Sequence, residues 1–443
     1  MATKRKKRRE WVPPLQRDPG PWTPALISWL AALGIIMVLG LVMLYSASYT
    51  TGYLRMGDSF HYMKTQMICM LLGLAAMILF AYMDHRFLRK WVVPLYFVGV
   101  ILLVLVLFSE PLNGCRRWLR IGGLTVQVSD LMKFEMILLT AHIAASIKHA
   151  EPLDPKKKGL LPFSKNGVTV RAWLFQRIIR ELVFPLAPLL PVVFLLSKEP
   201  HMSAIVLTCA IVGTILLLSG NGGIFTWIGA GTMALVLETA LQHIDSIPYL
   251  KDRLDGWTQD LSQMTDQTLQ SLYAIGSGGL TGLGLGNSVE KQLWLPESTN
   301  DFIFSVVCEE LGFVGAVLII LLFVIFLVLG LQIAFNAENY YSTMVGIGIM
   351  AQIAWQVFCN IAVVTNTLPN TGISLPFFSS GGTSLILLMA EMGVMVNIGR
   401  NGARAQEERA RARAEREARR EAERQAHAPI VLEHARRLRM EQE

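Results

Sequence analysis

Charged residues are scarce in this sequence, and their scarcity excludes an ordinary soluble protein. They make up 16% of the 443 residues, whereas hydrophobic residues make up 53%, and the mean hydropathy is +0.44. A soluble domain carries about a quarter charged residues. The apolar residues also form long runs, such as Ala316 to Phe335, and about 20 apolar residues suffice to cross a bilayer as a helix. The composition therefore predicts an all-α, polytopic membrane protein.

Cysteine is also rare, which argues against a zinc site or a disulfide framework. The chain has five cysteines and no pair with C-x-x-C spacing, whereas such sites need closely or regularly spaced cysteines. Four of the five lie inside apolar runs, where a thiol acts as a small apolar filler. No metal site is predicted from these residues, which are Cys69, Cys115, Cys209, Cys308 and Cys359.

The apolar runs predict about ten transmembrane helices. Polar residues interrupt the fourth and fifth runs, and the long eighth run is expected to include a short helix before the true span. A large outer loop, about 242–302, lies between the seventh and eighth helices. The predicted spans are 25–49, 62–83, 91–108, 127–148, 182–198, 202–219, 222–242, 303–335, 342–364 and 382–399.

Positive charge is concentrated at the two ends of the chain. "KRKKRRE" precedes the first apolar run, and a stretch rich in Arg, Ala and Glu follows the last. Such runs can bind nucleic acid, but beside a membrane span they are typical of cytoplasmic flanks. We therefore predict no nucleic-acid partner and two cytoplasmic termini, with the basic loops 84–90 and 149–181 on the same side. The chain then divides into a basic N-terminal segment (1–24), a transmembrane domain (25–400) and a charged cytoplasmic tail (401–443).

This orientation places three long loops outside, at 109–126, about 242–302 and 365–382. Loops of more than about 15 residues are usually functional or disordered. The largest contains "IGSGGLTGLGLGNS", whose glycines permit tight turns and the close approach of a ligand to the backbone. The functional site is therefore expected on the outer side.

The first outer loop carries Arg116, Arg117 and Arg120, although positive charge is normally sparse outside near spans. One interpretation is an interfacial anchor, in which long side chains snorkel beside Trp118. The other is an anion clamp, because guanidinium groups match phosphate oxygens. The local pattern leaves both open.

Two pairs of charged residues within the predicted spans each have two interpretations. Asp130 and Lys133 share a helix face, so they form either an internal ion pair or part of a site. Glu309 and Glu310 would lie about 12 Å deep if a helix begins at Asp301, where two carboxylates cannot both face lipid. They are either proton-relay groups or structural partners of Lys133 or Arg117, and the structural role is favoured.

Asp301 follows "STN" at the expected water boundary, where an apolar helix begins. Aspartate is common near a helix N-terminus because it caps the helix and complements its dipole. The alternative is a catalytic role. The arginines, the glycine-rich loop and the proline-containing third outer loop, all predicted on the same side, favour that alternative.

Together these segments resemble one family, the SEDS proteins (FtsW, RodA and SpoVE), and lie closer to FtsW and SpoVE. The resemblance rests on "GCRRWLRIGGLTVQVSDLMK" (114–133), "QSLYAIGSGGLTGLGLGNSVEKQLWLPESTNDFIFSVVCEELG" (270–312) and "LPNTGISLPFFSSGGTS" (368–384), in this order and on these sides of the membrane. Members are integral-membrane glycosyltransferases that polymerise lipid II into peptidoglycan strands at the outer face of the cytoplasmic membrane.

The resemblance implies roles for particular residues. Asp301 matches the aspartate regarded as catalytic in the family's "TDFIF" motif, although Asn300 stands where threonine is usual. A polyprenyl diphosphate leaves as an anion, so one general base could suffice. Cations would bind the diphosphate, and a divalent ion could share that role. The candidate cations are Arg116, Arg117 and Lys133, and the candidate cavity-supporting residues are Glu309, Glu310, Asp130, Ser277, Pro369 and Ser379.

One motif departs from the family pattern: "KEPHMSA" (198–204) stands where many members have a Pro-Asp motif. No role is carried over to His201, which we interpret as a membrane-interface residue with satisfied hydrogen bonds.

The resemblance also implies a class B penicillin-binding protein as partner. Two other functions remain open, a flippase for lipid II or a related polyprenyl-linked lipid and a non-catalytic scaffold for cell-wall enzymes.

Overall fold

The computed structural model describes residues 20–110, 116–121, 124–149, 178–179, 183–199, 201–220 and 265–440. The described part is helical apart from one short hairpin and the connecting segments. Its elements, in chain order, are α1 (Pro24–Met56), α2 (His61–Tyr82), α3 (His85–Leu107), β1 (Trp118–Ile121), β2 (Leu124–Gln127), α4 (Val128–His149), α5 (Phe184–Leu186), α6 (Leu189–Lys198), α7 (Met202–Ser219), α8 (Asp266–Gly278), α9 (Ile303–Phe335), α10 (Tyr340–Val364) and α11 (Thr383–Met440).

Each predicted span in the described part of the chain is helical, and α8 is a further helix within the predicted outer loop, so the all-α polytopic prediction is confirmed. Seven described helices are long and apolar enough to cross a membrane: α1, α2, α3, α7, α9, α10 and the first part of α11. Charges near its start set α4 apart, and α5 and α6 together form a shorter apolar helix. The seventh predicted span and much of the large outer loop lie outside the described residues.

A two-stranded antiparallel hairpin, β1–β2, occupies the first outer loop and was not predicted. Its register pairs Trp118 with Gln127 and Ile121 with Leu124. Strands of four residues are too short for a hydropathy pattern to identify. Helix α4 follows β2 directly. The hairpin therefore connects the arginines of the first outer loop to the buried start of α4.

Helix α9 is broken at Gly312, whose φ of +66° is left-handed. The carbonyls of 309–310 accept hydrogen bonds from the N–H groups of 283–284 (3.0 Å each), and the N–H groups of 313–314 donate to the carbonyls of 279–280 (2.9 and 3.1 Å). Such a break is tolerated within an apolar helix because these freed backbone groups find partners in the glycine-rich segment. The predicted short helix before the true span is thus confirmed.

The glycine-rich stretch after α8 owes its composition to this break. A Cβ on Gly282 would overlap the carbonyl of Glu310, and one on Gly278 would overlap the carbonyl of Cys308. Gly278 and Gly282 therefore permit a close approach between this stretch and the backbone of α9. Our expectation that they approach a ligand is not what these contacts show.

The charged tail continues α11 as a single helix. Side chains from Arg404 to Ala422 are almost all exposed, whereas those just before them are buried. The boundary predicted at residue 401 is therefore a change of environment along one continuous helix.

Candidate active site

A cavity of about 480 Å³ opens on the side predicted to face outward. Its walls come from the β1–β2 hairpin, the starts of α2, α4 and α7, and the segments that precede α9 and α11. Four of the candidate catalytic, diphosphate-binding and cavity-supporting residues line this one cavity: Arg117, Asp130, Lys133 and Asp301. Residues 184 positions apart in the chain thus share a single space.

The backbone of Asp301 is held by a buried amide. Asn360, on α10, donates from Nδ2 to the carbonyl of Asp301 (2.7 Å) and to the carbonyl of Ile373 (2.7 Å). It therefore joins the start of α9 to the third outer loop. The N-cap position of α9 is Phe302, without a side-chain cap, so Asp301 precedes that position rather than occupying it.

The carboxylate of Asp301 lies against Gly372. A Cβ built on Gly372 would be 3.2 Å from Oδ2 of Asp301, and the φ of Gly372 is +70°. A larger residue would be strained and would press on the carboxylate. The glycine therefore leaves the carboxylate room on its cavity side.

Ser379 supports the same region from outside the cavity. Its hydroxyl donates to the carbonyl of Asn300 (2.7 Å) and accepts from the N–H of Leu375 (2.9 Å). The N–H of Ser380 donates to the carbonyl of Thr299 (2.9 Å). These bonds hold the segment before Asp301 against the third outer loop.

Of the residues that the structure describes, two basic side chains, those of Arg117 and Lys133, line the cavity. Lys133 and Asp130 form an ion pair of 2.8 Å, and their side chains are 5% and 12% exposed. Arg117 is half-buried and directs Nε toward the carbonyl of Glu199 at 3.5 Å. Asp130 and Lys133 therefore form the ion pair and both line the cavity, and their part in a functional site stays a prediction.

The other predicted residues lie elsewhere. Arg116 is exposed and donates from Nη1 to the carbonyl of Leu107 at 3.0 Å. Ser277 donates to the carbonyl of Ala274 within α8, and neither it nor Pro369 lines the cavity. Among the described residues, no group of three or more His, Cys, Asp or Glu side chains is placed to hold a metal ion.

Glu309 and Glu310 are buried below the cavity and have structural partners. Glu309 accepts hydrogen bonds from the hydroxyl of Ser288 and from the N–H of Val289 (2.8 Å). Glu310 pairs with Lys291 at 2.6 Å, and both side chains are at most 4% exposed. The partner of Glu310 is therefore Lys291 and not the predicted Lys133 or Arg117, because the loop before α9 folds inward along the broken helix.

Lys291 was missed, although the sequence carries a signal for it. It is the only Lys or Arg between Arg253 and Arg400, so two buried carboxylates in that interval leave it as the nearest cation in the chain. It also donates to the hydroxyl of Ser46 at 3.1 Å, and Ser46 donates to Glu310 at 2.7 Å. The ion pair therefore connects the loop, α9 and α1.

The connection between α6 and α7 buries two titratable groups beside Arg117. Glu199 is 1% exposed and has no hydrogen-bond partner for either carboxylate oxygen within the described part of the chain. Burial raises its pKa to about 8, against a smaller lowering by Arg117. His201 is 5% exposed and lines the cavity. Burial lowers its pKa to about 3, as do the charges of Arg117 and Lys133, while Asp130 opposes them.

Replacing Glu199 with glutamine is expected to flatten the pH dependence of stability. The folded protein keeps a proton on Glu199 up to about pH 8, whereas the unfolded chain loses it near the ordinary value. Stability is therefore lost as pH rises through that window, by up to about 1.4 kcal/mol per pH unit. Glutamine does not titrate, so the stability of the variant relative to wild type should increase from about pH 5 to pH 8.

Melting temperatures in detergent across that range would measure the effect. If the difference in melting temperature between the two proteins is the same at every pH, the prediction is wrong.

Comparisons with known proteins agree with the motifs. A family model described as "Cell cycle protein", covering FtsW, RodA and SpoVE, matches residues 26–404. Stage V sporulation protein E of Bacillus subtilis (strain 168) is 34% identical over 376 residues, which cover 83% of this chain and 94% of that protein. A protein of Trichlorobacter lovleyi named "Probable peptidoglycan glycosyltransferase FtsW" is 33% identical over 366 residues, covering 81% and 89%.

Solved structures share the fold. One, titled "Structural coordination of polymerization and crosslinking by a peptidoglycan synthase complex", matches with a TM-score of 0.65 at 24% identity, covering 86% of this chain and 99% of that one. The crystal structure of RodA of Thermus thermophilus matches with a TM-score of 0.59 at 24% identity, covering 86% and 98%. The family match and the sequence relatives together establish that this chain belongs to the FtsW/RodA/SpoVE (SEDS) family, with FtsW and SpoVE among its relatives.

Proposed function

We propose that this chain is a peptidoglycan glycosyltransferase that polymerises lipid II into glycan strands at the outer face of the bacterial cytoplasmic membrane. The observation that carries the proposal is the shared cavity, which brings Asp301 together with Arg117 and Lys133. The names of the sequence relatives supply the reaction class.

The residues suit the chemistry of this reaction. A sugar hydroxyl of one lipid-linked disaccharide attacks the anomeric carbon of another, and Asp301 takes the hydroxyl proton as general base. The C–O bond to the polyprenyl diphosphate breaks, and the diphosphate leaves with the electron pair without needing a proton. Arg117 and Lys133 stabilise the negative charge that develops on it. Asp130, paired with Lys133 at 2.8 Å, holds that ammonium group at the cavity wall.

The location of the cavity suits the substrate as well. The sugars and the diphosphate are hydrophilic, whereas the polyprenyl chain remains in the bilayer. A cavity at the outer mouth of a helix bundle lets the carrier stay in lipid while the sugars react in water. We accordingly assign the protein to the inner membrane as a multi-pass protein with both termini in the cytoplasm.

We further propose that the chain works with a class B penicillin-binding protein that cross-links the strands. Support comes from the solved structure with the TM-score of 0.65, whose title describes a peptidoglycan synthase complex. Such a partner is expected to raise the polymerase rate, so assays should include it.

Polymerisation by the purified protein tests the proposed function. Lipid II in detergent is incubated with the chain, with and without the penicillin-binding protein encoded in the same genome, and the products are separated by size. We expect glycan polymers with wild type and more of them with the partner. If no polymer forms under either condition while lipid II crosses the bilayer of vesicles that contain the protein, the chain is a flippase. If the protein neither polymerises nor transports lipid II, the remaining hypothesis is a non-catalytic scaffold.

A further inference from the structure

His201 is a buried imidazole in the cavity wall with one nitrogen unused. Its Nε2 lies 3.4 Å from Nε2 of Gln127, and its Nδ1 has no hydrogen-bond partner among the described residues. The sequence interpretation of a fully satisfied interface histidine is therefore wrong for Nδ1. A buried polar group without a partner is destabilising because it has lost its hydrogen bonds to water, so its presence calls for an explanation.

The contact with Gln127 decides which nitrogen carries the proton. An amide nitrogen offers hydrogens and no lone pair, so Nε2 of His201 must accept in this hydrogen bond. A neutral imidazole then carries its proton on Nδ1. Because burial and the charges of Arg117 and Lys133 keep the pKa of His201 at about 3, the ring is neutral at physiological pH. The unused group is therefore an N–H donor.

The surroundings of His201 indicate what this donor meets. The charged groups that face the ring are Arg117 beside the hairpin and Asp130 and Lys133 on α4, and all three line the same cavity. An anion held by the two cations would lie next to the ring. Oxygens of a diphosphate accept hydrogen bonds strongly, and a neutral donor contributes without adding a further charge to be buried.

We propose that His201 donates a hydrogen bond from Nδ1 to an oxygen of the substrate's diphosphate. The inference rests on the proposed function, since it names a binding contact for the same lipid-linked substrate. The bond forms with the carrier's diphosphate and not with a particular sugar. His201 is thus a substrate-binding residue that acts beside Arg117 and Lys133.

Binding of farnesyl diphosphate, a short soluble polyprenyl diphosphate, tests this contact separately from catalysis. Isothermal titration calorimetry on the full chain in detergent is run with farnesyl diphosphate and, as control ligand, farnesol. His201→Phe keeps a ring but removes the donor, so we expect about tenfold weaker binding of the diphosphate. His201→Asn places an amide N–H near the Nδ1 position and should stay within about threefold of wild type. Farnesol binding should be the same in all three proteins.

Each other result overturns the proposal. If wild type and His201→Phe bind farnesyl diphosphate with equal affinity, His201 does not contact the diphosphate. The proposal is also wrong if wild type does not prefer farnesyl diphosphate over farnesol. Equal weakening in His201→Asn would mean that ring shape matters and not the donor. If His201→Phe does not fold, as judged by its melting temperature, His201→Gln replaces it. That variant keeps an amide near Nε2 and lacks a donor at Nδ1.

The pH dependence separates a neutral donor from a charged one. The affinity ratio of wild type to His201→Phe should stay constant between about pH 6 and pH 8, because a group with a pKa of about 3 does not titrate there. A ratio that grows as pH falls toward about 6, where an ordinary histidine gains its proton, would contradict the proposal. A wild-type protein that binds farnesyl diphosphate but makes no polymer would overturn the proposed function and leave this inference standing.

Discussion

Replacing Asp301 with asparagine is expected to lower the rate of glycan polymerisation by about 10²–10⁴-fold, the range by which a positioned general base accelerates a reaction. Asparagine keeps the size and the backbone contacts of Asp301, including the bond from Asn360 to its carbonyl, but it cannot accept the hydroxyl proton. The measurement is the initial rate of lipid II consumption with the penicillin-binding partner present.

A matched control for this variant is Asp266→Asn. Asp266 is an exposed aspartate in the first turn of α8, on the side predicted to be outer, and does not line the cavity. It should polymerise at the wild-type rate. If Asp301→Asn makes polymer as fast as Asp266→Asn, Asp301 is not the base, although the enzyme class would stand. Farnesyl diphosphate binding should survive in Asp301→Asn, because the cations that hold the diphosphate are unchanged.

Replacing Lys291 with methionine is expected to lower the free energy of unfolding by about 3–5 kcal/mol, because it leaves a buried carboxylate without its counter-charge. The ammonium group of Lys291 and the carboxylate of Glu310 are 2.6 Å apart, and their side chains are 4% and 0% exposed. Thermal unfolding in detergent measures the loss. Adding Glu310→Gln to the same protein should restore much of it, because the unpaired charge is then gone.

Lys64→Met is the matched control, since it breaks an ion pair of similar length at the surface. Lys64 and Asp58 are 2.7 Å apart but 66% and 38% exposed, and solvent screens such a surface pair so that it contributes little to stability. Equal melting temperatures for the two lysine variants would show that burial does not make the Lys291–Glu310 pair critical. A double variant no more stable than Lys291→Met would show that the carboxylate is not the source of the loss.

The helical architecture was readable from the sequence because hydropathy is a local property. Each apolar run in the described part became a helix, and the predicted short helix ahead of the eighth span ends at Gly312. The hairpin β1–β2 was missed, since β1 does not alternate and the alternation in β2 extends over only four residues, which is a weak signal. The glycines of 276–286 predicted that something approaches the backbone closely. They did not show that Gly278 and Gly282 lie against the backbone of α9.

The sequence predicted which types of residue form the candidate site, but only partly where each of them lies in the structure. Charges in or beside apolar runs identified Asp130, Lys133 and Asp301. Nothing in the sequence distinguished Arg117, which lines the cavity, from Arg116, which bonds to the end of α3. Both residues lie just before β1, which begins at Trp118, and only the path of the chain as it enters the hairpin decides which of them faces the cavity.

The sequence by itself determined the family, the membrane-spanning helices and the residue types of the site, because these depend on runs and motifs of neighbouring residues. The tertiary structure alone decided the contacts. It paired Glu310 with Lys291 and with Ser46, 264 residues away, and left room for the carboxylate of Asp301 beside Gly372. It also buried His201 with an Nδ1 that has no hydrogen-bond partner among the described residues. The energies of buried charges and hydrogen bonds depend on what surrounds them in space, and distance along the chain carries no information about that.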